Sequence, residues 1–346
     1  TNGTYTLLVT NTANGCTKTD VAVVNSNVTP PNAAIGNPAL LTCTNITVTL
    51  NGSSSTPSGI LTYSWTTANG NIQSGQNSAS AVITEPGQYT LIVTNSVNGC
   101  TDDASVTVNQ DNSVPTANAT VNGGLNCNTT QLTISGAGSS SGSGFTFSWT
   151  ASPGGNFSSG QNTLNPTVNA PGTYTLLITN TANQCTATAS VLVTQDIQAP
   201  SAVAGPPATL TCAVKEITLD ATASSTGTDF EYVWTTTSGN IVNLTNPLEP
   251  VVNEPGGYTL LVTNTSNGCT QTFSVEVVED ILNPTASAGG DGLLTCAVTS
   301  LQLNGAGSSQ NGNYFYQWTT STGQILVGGN SLTPTVVAGG TYTLVV

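Results

Sequence analysis

The sequence predicts an all-β chain, a tandem array of antiparallel β-sandwich domains of about 84 residues each. Three observations carry that prediction. The only tryptophans, Trp65, Trp149, Trp234 and Trp318, recur at a nearly constant interval. Tyr5, Tyr89, Tyr174, Tyr258 and Tyr342 keep the same interval, as do two cysteine series: Cys16, Cys100, Cys185, Cys269 and Cys43, Cys127, Cys212, Cys296. Within each period, short alternating apolar and polar segments are separated by turns rich in Gly, Pro, Ser and Asn, with no helical periodicity. A fixed period of this size is one folding unit copied in tandem.

The elements can be read in order along residues 31–114. Pro31 ends a linker, and an extended segment begins at Asn32–Ile35 and continues through Ala39-Leu40-Leu41. Cys43-Thr44-Asn45 is a turn. Ile46-Thr47-Val48-Thr49-Leu50 alternates as a half-buried strand does, and Ser53–Gly59 is a loop. Leu61 to Trp65 is the next strand, with Leu61, Tyr63 and Trp65 on one face. Ala79–Ile83 is a short strand, Glu85-Pro86-Gly87 a tight turn, and Tyr89–Thr94 a strong strand. Asn95–Gly99 turns the chain into a last strand, Thr101–Val108. The same reading divides the chain into 1–30 (closing strands of a preceding repeat), 31–114, 115–199, 200–283, and 284–346 (the opening part of a further repeat). It reads as a window on a longer polypeptide.

Composition narrows the function. Lys18 and Lys215 are the only basic side chains against 16 acids, giving a net charge of −14, and there is no histidine or methionine. Nucleic-acid binding needs clustered cations, so that class is excluded. Charged residues are 5% of the chain, far below the roughly 25% usual for soluble domains. Hydroxyl and amide side chains carry the solubility instead. No apolar run approaches the roughly 18 residues that span a bilayer. Without histidine there is no Ser-His, Cys-His or His-metal constellation. Asp102 and Asp103, as strand neighbours, point to opposite faces and make a poor acid/base pair. An enzyme is not expected. The cysteines lack the close C-x-x-C pairs of a zinc site and read as disulfides of an oxidising, extracellular compartment.

The A-x-A-G-like openings, the stretch Ile46-Thr47-Val48-Thr49-Leu50-Asn51-Gly52-Ser53, the strand Tyr63-Ser64-Trp65-Thr66 and the ending Pro86-Gly87-Gln88-Tyr89-Thr90-Leu91…Asn98-Gly99-Cys100-Thr101 together resemble polycystic-kidney-disease-type (PKD-like), immunoglobulin-like repeats. More narrowly, they are similar to the tandem repeats of very large surface adhesins that Bacteroidota export by type IX secretion. The resemblance covers every period and implies an immunoglobulin-like sandwich at a cell surface. One departure matters. PKD domains commonly continue W-D-F-G-D-G, whereas Trp65 is followed by Thr66-Thr67-Ala68-Asn69, so no ligand role attached to those acids carries over.

In such a sandwich Trp65, Trp149, Trp234 and Trp318 are core residues. Tyr89, Tyr174 and Tyr258, each opening a strand after a Gly-containing turn, stand where a tyrosine corner bonds its hydroxyl back to that turn. The position two residues later, a cysteine in antibody-type domains, is Leu91, Leu176 or Leu260, so the central disulfide is replaced by aliphatic packing. Strand direction places Cys43 at the end where the last strand exits and Cys100 at the opposite end. The two are then too far apart for the roughly 7 Å a disulfide allows. Head-to-tail stacking instead favours staples between repeats, Cys43–Cys185 and Cys127–Cys269. Pairs within repeats (Cys43–Cys100, Cys127–Cys185, Cys212–Cys269) stay open as the alternative. Cys16, Cys100, Cys212 and Cys296 are expected as further disulfide cysteines.

The joints are short. Six residues separate Val108 from Pro115, Val193 from Pro200 and Val277 from Pro284, and proline stiffens such connections. Asp111, Asp196 and Asp280, with Asn27 at the first joint, recur just ahead of those prolines; Glu85 and Glu254 are expected at the same end. Calcium at these junctions is open, but one or two carboxylates per joint is fewer than calcium prefers. No other cofactor is expected. The reading is a structural extracellular stalk or filament projecting from a bacterial surface, its partners being neighbouring repeats and, in a fibre, like chains. The alternative is an adhesin binding polysaccharide or other cells through loops such as Ser53–Gly59 and Ser139–Gly144.

Overall fold

The computed structural model describes residues 1–346 as strands and turns, with no helix. Its contacts divide the chain into two compact units, Thr1–Ile197 and Gln198–Val346. No helix is long and apolar enough to cross a membrane.

The repeat at 31–114 shows the construction. Two antiparallel sheets face each other. One holds Val48–Asn51, Ser80–Ile83 and Ile72–Ser74 in that order; the other holds Leu61–Thr67, Gly87–Asn95 and Thr101–Val108. The central strand, Gly87–Asn95, pairs on both edges, setting Trp65 opposite Leu91 and Tyr89 opposite Val106. Its alternation is read directly by the core: Tyr89, Leu91 and Val93 are buried, while Thr90, Ile92 and Thr94 face outward or sit at the margin. Leu41, Val48, Leu50, Trp65, Ala81, Ile83 and Val108 complete the buried cluster. Each large apolar side chain so buried stabilises by about 1.5–3 kcal/mol. Residues 115–197 and 200–283 repeat the arrangement around Trp149 and Trp234.

Two segments show what strand pairing contributes to burial. At 1–30 only the hairpin Gly3–Thr10 with Thr17–Val24 is present. Leu7 is 64% exposed there, whereas its counterpart Leu91 is fully buried. In 284–346 the strand Tyr342–Val345 pairs only with Gln317–Thr320; even so, Trp318 remains buried.

Three local features differ from the sequence reading. Ile46 lies outside its expected strand and is 69% exposed. The partner strand Ser80–Ile83 has four residues and its register ends with Val48 opposite Ile83, so nothing pairs further back. Ile72–Ser74 forms a short strand that the sequence reading left out, and its pairing with Ser80–Ile83 carries a register shift. The third difference is a two-residue parallel ladder, Gln110–Asp111 beside Leu41–Thr42. It recurs as Gln195–Asp196 with Leu125–Asn126, and as Glu279–Asp280 with Leu210–Thr211.

Candidate functional site at the repeat joints

That parallel ladder builds one half of the joint. After the last strand ends at Val108, the carbonyl of Asn109 accepts from the Leu41 amide at 3.1 Å, and the chain leaves alongside Leu41–Thr42. Cys43 follows immediately, so it sits where the chain exits its repeat. Asn45 closes this loop: its amide donates to Thr42 Oγ1 at 3.0 Å and its Nδ2 to the Leu40 carbonyl at 2.7 Å.

The other half is the turn between the last two strands of the next repeat. Asn180 N–H donates to the Cys185 carbonyl, and Gln184 N–H donates to the Asn180 carbonyl. The turn requires a left-handed residue just before the cysteine. Gly99 (φ 73°) and Gly268 (φ 70°) supply it in two repeats, while Gln184 adopts φ 57° in the third. Asn183, fully buried, satisfies both sides of the joint. Its Oδ1 accepts from the Cys185 amide at 2.9 Å, and its Nδ2 donates to the Ser113 carbonyl of the linker at 3.0 Å.

Cys43 and Cys185 are joined by a disulfide, with Cα atoms 5.1 Å apart. The bond ties the repeat 31–114 to the one after it. It excludes Cys43–Cys100 and Cys127–Cys185, because Cys43 and Cys185 are each other's partners. Cys127 and Cys269 are also in the disulfide state. Cys16, Cys100, Cys212 and Cys296, expected as disulfide cysteines, are free thiols here, which removes the Cys212–Cys269 alternative too. For each of these four, a residue of the opposite series at the 142-residue separation of the observed bond would fall outside positions 1–346.

The asparagine latch recurs wherever the turn meets a linker. Asn98 donates to the Thr29 carbonyl at 2.9 Å and to Asn27 Oδ1 at 3.1 Å. Asn267 donates to the Gln198 carbonyl at 3.0 Å. Sequence reasoning missed this residue. The signal was present as the Asn two places before Cys16, Cys100, Cys185 and Cys269, but an isolated Asn in a turn reads as turn chemistry alone.

The joint acids are engaged in hydrogen bonding. Asp111 accepts from the Ser113 amide at 2.9 Å. Bonds from the Ser113 side chain and backbone, then from Asn183, hold its carboxyl below the usual carboxylate range. Glu85 and Glu254 serve through their backbone: the Tyr89 hydroxyl donates to the Glu85 carbonyl at 2.6 Å and Tyr258 to that of Glu254 at 2.7 Å. Tyr174 makes the equivalent bond to Ala170 at 2.7 Å. Burial pushes the phenols of Tyr89 and Tyr258 up from the ordinary tyrosine value. Asp102 accepts from the Ala33 amide at 2.8 Å, fastening the opening segment to the last strand. No three acid or cysteine side chains gather in a metal-binding group. The indoles are anchored in the same way from repeat to repeat: Trp65, Trp149, Trp234 and Trp318 donate to the carbonyls of Ser78, Thr163, Pro247 and Ser331.

No protein-family model matches the chain, and no curated protein matches it. Among the solved structures that align with it are tandem domain arrays. Sidekick-1 immunoglobulin domains 1–5 align at 14% identity and TM-score 0.27, covering 81% of this chain and 67% of that one. The N-terminal eight immunoglobulin domains of Down Syndrome Cell Adhesion Molecule align at 14% identity and TM-score 0.30, over 97% of this chain. This chain spans about half (49%) of that structure. Drosophila N-cadherin EC1-4 aligns at 11% identity and TM-score 0.26, over 80% of this chain and 83% of that one.

Proposed function

We propose that this chain is part of a structural extracellular stalk or filament, in which PKD-like, immunoglobulin-like repeats are fastened to one another. The observation that carries the reading is the Cys43–Cys185 bond across a joint whose linker is also latched by Asn183. A tandem array without such bonds pivots at its linkers. A staple plus a short proline-bounded linker removes that freedom. Closing a 142-residue loop is also worth roughly 5 kcal/mol in the chain-entropy picture. The second staple in this reading is Cys127–Cys269, which repeats the 142-residue separation of the first.

Structural disulfides and a nearly uncharged hydroxyl surface suit an oxidising compartment outside a cell. A bacterial surface of the Bacteroidota type is the setting the repeat motifs favour. The role is mechanical and not catalytic: Cys43, Cys185 and Asn183 at the joint are all occupied in fastening the two repeats. Electron microscopy of the oxidised and reduced chain tests the reading. Oxidised molecules are expected to be straighter, with a narrower spread of end-to-end distance, than reduced ones. Equal spreads in the two states would contradict a stiffening joint, and saturable binding on a glycan array would move the assignment to adhesion. Side-by-side bundles in the same images would show like chains assembling into a fibre.

A further inference from the structure

We infer that the staples overlap, so that three stretches of backbone run in parallel between two covalent nodes and the shortest sets how far those nodes can be pulled apart. The inference rests on the stapled-joint reading above, and specifically on the proposed Cys127–Cys269 bond.

The cysteine spacing decides the connectivity. The observed bond spans 142 residues, well beyond one period, so a second bond of the same span begins before the first has closed. Cys43 with Cys185 forms one node, and Cys127 with Cys269 forms the other. Three backbone segments then join the same two nodes: Cys43 to Cys127, Cys127 to Cys185, and Cys185 to Cys269. The middle one is travelled backwards by a force that crosses both staples, and it is the shortest of the three. A break in any one of them leaves the chain covalently continuous.

Each route holds the central tryptophan of a different core. The first contains Trp65, the second Trp149 and the third Trp234. Pulling one core open therefore lengthens the molecule only until the shortest route is taut. Beyond that point the other two carry slack. The routes are also stitched to each other by a ladder. Thr186–Val193, on the third route, pairs along its length with Gly172–Asn180, on the second. Load on the third route is thus passed through that ladder to the middle one before either stretch of backbone extends.

Single-molecule stretching of the full chain, tethered by its termini, reads the routes as contour length. The reduced chain extends to about 1,200 Å at roughly 3.5 Å per residue. The oxidised chain is expected to stop at about 0.5 of that, because the taut path runs through both staples and the short middle route. Cys43→Ser, and independently Cys185→Ser, removes the first node and leaves one staple. Each variant is expected to stop at about 0.6 of full length, roughly 90 Å beyond the oxidised wild type. Cys43→Ser combined with Cys127→Ser is expected to extend fully without reductant. An oxidised wild type that already stops at about 0.6 holds one staple and overturns the three-route inference; full extension of its Cys43→Ser variant then identifies that staple as the observed bond. Full extension of the oxidised wild type would overturn the stapled reading itself.

Discussion

The side-chain amide of Asn183 donates to the carbonyl of Ser113 at 3.0 Å, linking the closing turn of one repeat to the linker that precedes that repeat. The oxygen of the same side chain caps the Cys185 backbone. One buried side chain thus fixes the linker and presents the cysteine that crosses to Cys43.

Asn183→Ala leaves the Cys185 amide without its partner in a buried setting and releases the part-buried bond to the Ser113 carbonyl. The expected cost is about 1–3 kcal/mol, read as a lower thermal midpoint of the oxidised protein. Asn98→Ala, at a less buried latch, is expected to cost less.

Gln184 occupies the left-handed position that glycine fills at Gly99 and Gly268. Its side chain donates to the Thr181 carbonyl at 2.8 Å, a bond exposed to solvent and of small net value. Gln184→Gly is expected to be neutral to stabilising, by up to about 1 kcal/mol, because a non-glycine residue in this conformation costs about 1–2 kcal/mol. Thermal unfolding decides it: a clear loss of stability would mean the Thr181 contact outweighs the backbone strain. Gly99→Ala should move the other way.

The tyrosine corner depends on close approach. A Cβ at Gly70 would collide with the Tyr89 hydroxyl, and Gly239 stands in the same relation to Tyr258. Gly70→Ala is expected to cost more than Tyr89→Phe, since the alanine displaces the ring while phenylalanine loses only the bonds to Glu85 and Asn71. Chemical denaturation of the two variants compares them directly. A reversed order would show that the corner yields easily.

Asp111 gives the joint a pH dependence. Its folded-state pKa is lowered by Ser113 and Asn183, so its contribution is present above the unfolded carboxylate value of about 3.9 and is lost as pH falls through the lowered native value. The difference in midpoint between wild type and Asp111→Asn should therefore be constant near neutrality and vanish in strong acid. Asn27 already fills the matching position at the first joint, so the variant is expected to fold.

Much of this was legible in the sequence because the signals were local and repeated. Alternation in Tyr89–Thr94 pointed to the central strand, and Gly-containing turns before Tyr89 and Tyr258 pointed to the corner. What escaped was non-local. Gln110–Asp111 pairs with Leu41–Thr42, a strand from the far end of the repeat, and a two-residue ladder is too short to show any periodicity of its own. Ile72–Ser74 lies in an irregular register beside Ser80–Ile83, which hides it from a period-two reading. Ile46 misled for the converse reason: its alternation continued past the point where a partner strand existed. The Asn183 latch depends on a linker at the opposite end of the same repeat's sequence. The free state of Cys16, Cys100, Cys212 and Cys296 was not legible because pairing depends on register across repeats and not on a cysteine's own surroundings.

Peptide mapping of the oxidised protein under non-reducing conditions tests the central claim most directly. The account predicts two linked species, one containing Cys43 with Cys185 and the other Cys127 with Cys269, and alkylatable thiols at Cys16, Cys100, Cys212 and Cys296. Recovery of Cys43 with Cys100, or of Cys127 with Cys185, would place the disulfides inside repeats and contradict it.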